Sequence, residues 1–526
     1  MRNLSPASGI ASLSRLRERV GVRVPLSAPL APIPAFPRAR GKGKSTVLAL
    51  TTTLFLSACA VGPDYVRPEL YTPDHFARVE APAAGDPDAT ALPAADAAFW
   101  QGFGDPMLTR LVEDALAANH DLRIALARYD AANALLRGAK FDYLPTVTAG
   151  VSAADVRSSA DQLPGVSRAQ RDGRNYEAAA SASWELDLFG RVRRNVEAHR
   201  AQAQALASDL AAMQVAIVGE LARSYVELRG LQDRLRVARE NADNQRETLR
   251  LVQARFDAGR GSEFDTSRAR AQLEATLAGV PALEAQVAVA MHRIAVLTGR
   301  TPDARIAELQ APAPLPTLPG KLDPGTPGDL LRRRPDVAAA EQRLHAATAE
   351  IGVATADLFP RFTLGGLIGS QAVDAGALFE RDSETRLVAL GIDWSFLDVG
   401  RVRARIAAAD ADAAGELARY EQTVLLALED AENALVRTAR ARNEDAHRVQ
   451  AARDSANAAR LARVRFEAGA ADLFEVLDAE RTRLQAEDAL AEARIRSATS
   501  VIALYRAFAG GWPARMPVRR EVADAG

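Results

Sequence analysis

The chain has 526 residues, 48% of them hydrophobic but only 5% aromatic, with 66 Lys+Arg against 67 Asp+Glu. That balance gives no electrostatic reason to expect nucleic acid, and an Ala-rich apolar fraction favours closely packed long helices over a core of large side chains. No stretch reaches the ~20 uninterrupted apolar residues of a spanning helix, so a membrane role would need a lipid anchor, a β-barrel, or both.

In chain order, residues 1 to about 37 are rich in Pro, Arg and Ser and fit no later pattern; they read as an extension from a start placed too far upstream. A basic run, Arg38 to Lys44, precedes the mostly apolar Val47 to Phe55 and then Leu56-Ser57-Ala58-Cys59. Charge, short apolar run and small residues in that order form a secretory leader. Leu-Ser-Ala-Cys at its end resembles the lipobox of bacterial lipoproteins, which implies a covalent lipid on Cys59, the only cysteine. A lone Cys is ordinarily a small buried apolar residue, but this one stands where a leader would be cut. Ala60 follows it, with no Asp to signal inner-membrane retention.

The rest of the chain is a tandem duplication. Trp184-Glu185-Leu186-Asp187-Leu188-Phe189-Gly190-Arg191-Val192-Arg193 aligns with Trp394-Ser395-Phe396-Leu397-Asp398-Val399-Gly400-Arg401-Val402-Arg403 at an offset of 210. The same offset aligns Arg255-Phe256-Asp257-Ala258-Gly259 with Arg465-Phe466-Glu467-Ala468-Gly469, and Phe264 with Phe474. Leu144-Pro145 pairs with Phe359-Pro360 at a slightly larger offset.

Each copy predicts the same series of elements. A helix comes first, Met107 to Lys140 or Asp329 to Asp357, ended by Pro145 or Pro360. Two strands follow, Thr146 to Ser152 and Tyr176 to Leu186, or Arg361 to Ile368 and Arg386 to Phe396. Alternation is clearest in the last, where Val388, Leu390, Ile392, Trp394 and Phe396 share one face. A proline-free helix, Arg191 to Phe256 or Arg401 to Phe466, then runs to Gly259 or Gly469, which cap it. At 1.5 Å per residue it is roughly 100 Å long. A shorter helix returns to about Leu297 or Phe508.

Four strands cannot close a membrane barrel, because single-chain barrels start at eight. Open strand edges are not tolerated in lipid. If the strands enter a membrane, several chains must build the barrel together, and symmetric closure is the usual solution.

Cys59-Ala60-Val61-Gly62-Pro63-Asp64-Tyr65-Val66-Arg67-Pro68, the stretch Trp100 to Leu111, Arg333-Arg334-Pro335-Asp336-Val337 and the two Arg-Phe-x-Ala-Gly tips together resemble the outer-membrane efflux proteins of the TolC superfamily, of the NodT/OprM lipoprotein type. The likeness runs from residue 59 to about 510. It implies a mixed, mainly α fold: a tandem-repeat α-helical barrel of long coiled-coil hairpins, joined to a transmembrane β-barrel with four strands per chain and twelve in a trimer. The chain would divide into an upstream extension and signal peptide (1–58), a lipidated N-terminal segment (59–104), a first repeat (105–300), a linker (301–327), a second repeat (328–508) and a tail (509–526). The implied function is a passive outer-membrane channel of a tripartite efflux system, with a periplasmic adaptor and an inner-membrane transporter of the RND type as partners.

The same resemblance places a periplasmic aperture at the hairpin tips. Asp478 and Glu475 in copy two and Asp265 in copy one fall on acidic aperture positions, with Arg465 and Phe466 beside them and Arg255, Phe256, Gly259 and Gly469 in the adaptor-facing turns. Glu475 and Asp478, three apart, share a helical face. Acidic residues in a first turn also simply suit the helix dipole. Ala471 stands where some members carry a lock Arg, leaving Arg465 or Arg268 as candidates, and Phe466 lacks the hydroxyl often found at its position.

Other readings compete. The six histidines (His75, His120, His199, His292, His345, His447) are scattered without metal spacing, and neither a phosphate loop nor a Gly-x-Ser-x-Gly elbow occurs at a strand-to-helix turn, so nothing carries catalysis or a cofactor. A structural coiled-coil lipoprotein would share the anchor and helices but has no use for four amphipathic strands. A type I secretion conduit would keep the fold and change the partners.

Overall fold

The computed structural model describes residues 60–77, 92–93, 98–319, 322–509 and 519. Cys59 and the leader lie outside the described residues. Among the described residues, nine α-helices and four long strands follow in order: α1 (Pro106–Ala118), α2 (His120–Phe141), β1 (Thr146–Arg157), β2 (Asp172–Leu186), α3 (Arg191–Asp257), α4 (Glu263–Leu297), α5 (Ile306–Leu309), α6 (Pro327–Arg333), α7 (Pro335–Ala356), β3 (Arg361–Ala372), β4 (Glu384–Asp393), α8 (Val399–Glu467) and α9 (Leu473–Ala507).

Both long helices form as their spacing predicts, at 67 and 69 residues. The first helix of each copy does not. Met107 to Lys140 breaks at Asn119, whose extended backbone (ψ 133°) separates α1 from α2. Its side chain explains the break: Oδ1 accepts from the amides of Asp121 (2.9 Å) and Leu122 (3.2 Å), and Nδ2 donates to the Leu297 carbonyl at 2.9 Å. The predicted Asp329 to Asp357 helix likewise breaks at Arg334, which precedes Pro335 and is held extended by it. Arg334 donates to the Ala507 carbonyl at 3.1 Å. Leu297 and Ala507 are equivalent at the 210 offset, so both copies make one joint with different chemistry.

The strands run longer than predicted at the hairpin ends, and β4 stops at Asp393, short of Trp394 and Phe396. Instead of extending the strand, Trp394 Nε1 donates to the Leu358 carbonyl at 3.0 Å, as Trp184 Nε1 does to the Tyr143 carbonyl at 3.1 Å. These indoles pin the base of the sheet to the turn that leads into it.

The sheet is an antiparallel meander in the order β1-β2-β3-β4. One row across it reads Val147, Ala182, Gly366, Val388; the neighbouring row, on the other face, reads Thr148, Ser181, Leu367, Leu387. One face is thus mostly aliphatic, with Val151, Ile368 and Val388 each at least 71% exposed, and the other carries most of the Ser, Thr and Gly. Exposed aliphatic side chains on a sheet this regular have no reason in water. Among the described residues, β1 and β4 leave their outer edges unpaired.

The main core sits halfway along the helices. The one-turn helix Phe99–Phe103 and α1 bury Phe99, Trp100, Phe103, Leu108 and Leu111 against Leu221 and Tyr225 of α3, Ile294 of α4 and Val501 and Tyr505 of α9. Asp105 caps α1 through the Met107 and Leu108 amides and accepts the Tyr225 hydroxyl at 2.7 Å. Burial pushes the Tyr225 hydroxyl up to about 12. An 18-residue stretch of α3 is apolar enough to cross a membrane by composition, and half of it is buried inside the chain; the like stretch in α4 is only 28% buried.

Candidate functional site: the paired helix tips

Each long helix ends in a left-handed glycine, Gly259 (φ 71°) or Gly469 (φ 74°). The amide after it returns to the carbonyl five residues back, Arg260 to Arg255 and Ala470 to Arg465, both at 2.8 Å. This closes the last turn in the manner of a Schellman cap. The returning helices are capped by Ser262 and Asp472. Two repeats of one sentence of sequence thus place two hairpin tips side by side.

The acidic residues differ in what they do. Asp265 completes a capping box, accepting from the Ser262 amide (3.2 Å) and hydroxyl (2.7 Å). Its equivalent Glu475 pairs with Arg465 at 3.1 Å across the turn. Asp478 sits one turn further on, about half exposed, and pairs along its own helix with Arg481 at 2.6 Å. Within the chain, neither Arg465 nor Arg268 reaches Asp478.

Arg268 is instead stacked on aromatic rings. Its guanidinium lies 4.9 Å from the Phe474 ring centre and 5.5 Å from that of Phe264. Arg255 lies 4.0 Å over Phe466. Each is a cation–π contact, worth about 0.5–1 kcal/mol where exposed, and both Arg255–Phe466 and Arg268–Phe474 join copy one to copy two. Phe466 also packs against Val252, Leu473 and Leu477. Arg255 and Phe466 therefore meet, whereas Phe256 is 39% exposed. A cleft between the tips is lined by Arg260, Phe264, Asp265, Arg268, Asp472 and Phe474, among others.

Just above the tips lies a group the tip motif does not announce. Glu480 on α9 is 6% exposed and accepts from Arg463 of α8 (3.3 Å) while pairing with Arg483 (3.0 Å). Arg463 continues to the Thr248 hydroxyl (3.3 Å) and Arg483 to Asn241 Oδ1 (3.0 Å), both on α3. The readable signal was Glu480 and Arg483 one turn apart; that they face α3 was not.

At the opposite end, residues 60–77 lie along the junction of the two copies. The Val61 amide donates to the Phe189 carbonyl at 3.0 Å, and Gly190 (φ 84°) admits Ala60 where a Cβ would stand. Arg194, 4% exposed, binds Asp64 (2.5 Å) and Glu197 (2.8 Å). Tyr65 stacks on His345 at 4.4 Å, and His345 meets Glu197 at 2.9 Å. Phe76 packs edge-on against Phe508 at 5.4 Å. The segment thus runs from the foot of the sheet to the end of α9. Among the described residues no group of three or more His, Cys, Asp or Glu is arranged to hold a metal ion.

This architecture recurs in known proteins. The family model described as outer membrane efflux protein matches residues 111–300 and 326–510. Nodulation protein T of Rhizobium leguminosarum bv. trifolii is 32% identical over 84% of this chain and 92% of its own length. Outer membrane protein OprJ of Pseudomonas aeruginosa is 32% identical over 89% of this chain and 96% of its own. The solved outer-membrane channel OprN superposes with a TM-score of 0.79 at 40% identity, covering 86% of this chain and all of that one. With the duplicated helical hairpins, the two-faced sheet and this agreement over both copies, the chain belongs to the outer membrane efflux protein family, and it is an outer-membrane efflux channel whose helices extend as a tunnel into the periplasm.

Proposed function

We propose that three copies of this chain close one passive conduit, a twelve-stranded barrel continued by a helical tunnel, which takes small molecules from an inner-membrane transporter through a periplasmic adaptor. The observation that carries the reading is the sheet: four strands, aliphatic on one face and small or polar on the other, with both outer edges unpaired among the described residues. In lipid those edges must find partners, and identical chains supply them. The weakly buried apolar stretch of α4 supports the same closure. Nothing in a conduit of this kind requires catalysis or a cofactor.

Acylation of Cys59 fits the position of Ala60, which lies against Gly190 at the foot of the sheet, where a lipid would reach the inner leaflet. The tips would meet the adaptor through Arg255, Phe256, Gly259 and Gly469. An RND-type transporter is the partner that a lipidated start favours over a type I secretion system.

Around a threefold axis, Asp478 and Glu475 each become a ring of three carboxylates, which attracts cations and resists anions. Asp478 is the aperture residue to test first, since Glu475 is tied across the turn to Arg465 and Asp265 to the cap residue Ser262, whereas Asp478 pairs along its own helix with Arg481 and stays about half exposed. In planar bilayers the purified protein should conduct ions, and Asp478→Ala should raise single-channel conductance. Unchanged conductance removes Asp478 from the aperture; a protein that conducts nothing favours a structural envelope spacer.

A further inference from the structure

The sheet meets the long helices at two feet, one before α3 and one before α8, and only the first is covered by the chain's own beginning. There the Val61 amide donates to the Phe189 carbonyl and Ala60 fills the space beside Gly190. Gly62 passes so close to Gly352 of α7 that neither position has room for a Cβ. Every arginine of this foot has a carboxylate: Arg191 has Glu185 (2.8 Å), Arg193 has Asp187 (3.1 Å) and Arg194 has Asp64 (2.5 Å).

At the 210 offset the second foot keeps arginines and loses carboxylates. Arg401 and Arg403 stand for Arg191 and Arg193, while Ser395 and Leu397 replace Glu185 and Asp187. The Arg401 side chain is 78% exposed and among the described residues reaches only Asp398, at 3.3 Å. Arg403 is exposed and has no ion pair among the described residues. The other carboxylates nearby are engaged: Asp357 holds both Arg405 and Arg361, and Asp393 stands in register with Arg361 on the sheet face opposite Ile392. Trp394, Phe396 and Leu397 are each more than half exposed, and the space beside Gly400 is open.

In the proposed trimer the end of a partner subunit's α2 lies against this foot as the end of α7 lies against the first. Aligning Pro145 with Pro360 puts Arg137 and Lys140 of α2, both exposed, where α7 has Gly352 and Thr355. A segment like 60–62 cannot run there, because a long side chain replaces the glycine it must pass and Ala404 replaces the Arg194 that binds Asp64. Four cations therefore border a groove floored by aromatic and aliphatic side chains, at the level where a Trp marks a membrane interface. Guanidiniums bind phosphate through paired, charge-assisted hydrogen bonds, and the apolar floor continues into the aliphatic row Ile392, Leu390, Val388.

We propose that the second foot binds one anionic phospholipid of the inner leaflet. Arg401 and Arg403, with Arg137 and Lys140 of the partner subunit, hold its phosphate, and Trp394, Phe396 and Leu397 receive its acyl chains. The six feet of the barrel are then taken alternately by the chain's own N-terminal segment and by a phospholipid. The inference rests on the trimer proposed above.

The test weighs the full-length protein by native mass spectrometry after extraction in mild detergent, removal of lipid, and incubation with dioleoyl phosphatidylglycerol or dioleoyl phosphatidylcholine. The wild type should retain three phosphatidylglycerols per trimer and prefer them to phosphatidylcholine about tenfold, the order expected when a few basic side chains meet an anionic headgroup. Arg401→Gln with Arg403→Gln should abolish that preference. Arg401→Lys with Arg403→Lys should keep most of it, a rescue that a distorted foot would not show. Arg137→Gln with Lys140→Gln lies on the other helix, should also lower the preference, and reports even if the first pair of substitutions prevents assembly. Arg191→Gln with Arg193→Gln removes the same charge from the first foot; in the trimers it forms the preference should survive, and an equal loss overturns the choice of foot. Displacement of the lipid by millimolar inorganic phosphate overturns the phospholipid in favour of a free anion. Equal retention of the two lipids by the wild type overturns the site and leaves the trimer standing. If the protein is not a trimer yet retains one phosphatidylglycerol per chain through Arg401 and Arg403, the trimer reading fails and the site stands.

Discussion

α3 and α8 are the same helix twice, alike in length, in the Trp-Gly-Arg-Val-Arg run that starts them and in the Arg-Phe-x-Ala-Gly turn that ends them, yet 27 of 67 residues are buried in α3 and 10 of 69 in α8. Val215 is 7% exposed; its equivalent Leu425 is 63% exposed. The first helices show the contrast reversed, Ala339 of α7 at 1% against Ile124 of α2 at 51%, because α7 packs on both α3 and α8 and α2 mainly on α3. The difference is one of neighbours. α3 is flanked by α2 and α4 of its own copy and by α7 and α9 of the other, whereas α8 packs mainly on α7 and α9. What α3 receives from copy two, α8 does not receive from copy one among the described residues. The repeat is complete in sequence and half complete in space, and in the proposed trimer the missing neighbours of α8 are a second chain's α2 and α4.

The sharpest way to break this comparison is to place one charge at both equivalent positions. Val215→Asp should unfold or severely destabilise the chain, since an unpaired carboxylate buried there costs several kcal/mol. Leu425→Asp should leave the chain folded by circular dichroism but abolish its trimer in native gels or sedimentation. Leu425→Asp running as an intact trimer would show that α8 keeps its exposed face in the assembly.

The joints at Asn119 and Arg334 show how far the sequence could be read. Pattern alone carries a helix through both positions, because the apolar spacing hardly changes phase and an asparagine within a helix is unremarkable. The signal at Pro335 was available in principle; the one at Asn119 was not, since the residue is decided by the Leu297 carbonyl 178 positions away. The duplication, the long helices and the tips were legible because each is written twice and locally. The Glu480 network and the docking of residues 60–77 were not, because they depend on which faces of distant helices meet.

Those joints also give an intermediate effect. Asn119→Ala removes a cap and leaves a buried carbonyl without its donor, for about 2 kcal/mol in all. Asn119→Asp keeps the acceptor but not the donor and should lose about half of that. Thermal or denaturant melting of the assembled protein checks both. Equal losses would mean that the contact with Leu297 contributes nothing, and that α1 and α2 are parted by the cap alone.

The smallest expected effect concerns the chain's beginning, and again separates the copies. Arg194 and Glu197, which hold residues 60–77, correspond to Ala404 and Ala407 on α8, and His345 corresponds to Asp130, which is taken by Arg519 at 2.9 Å. Only the junction on α3 can therefore receive Asp64 and Tyr65 as it does. Burial alone would raise the Glu197 carboxyl, but hydrogen bonds from His345 and Arg194 outweigh it and hold the carboxyl below its ordinary range. A group depressed in the folded state stabilises it above the unfolded value, about 4.3 for Glu, and loses that contribution as pH falls through the folded value. Glu197 keeps some solvent exposure, so the whole effect should be well under about 1 kcal/mol. Limited proteolysis of residues 60–77 between pH 6 and 3 should show release only at the acid end, and Glu197→Gln should flatten that dependence. If the wild type and Glu197→Gln release the segment at the same pH, Glu197 does not set the docking and the buried Arg194, with its link to Asp64, holds the segment without it.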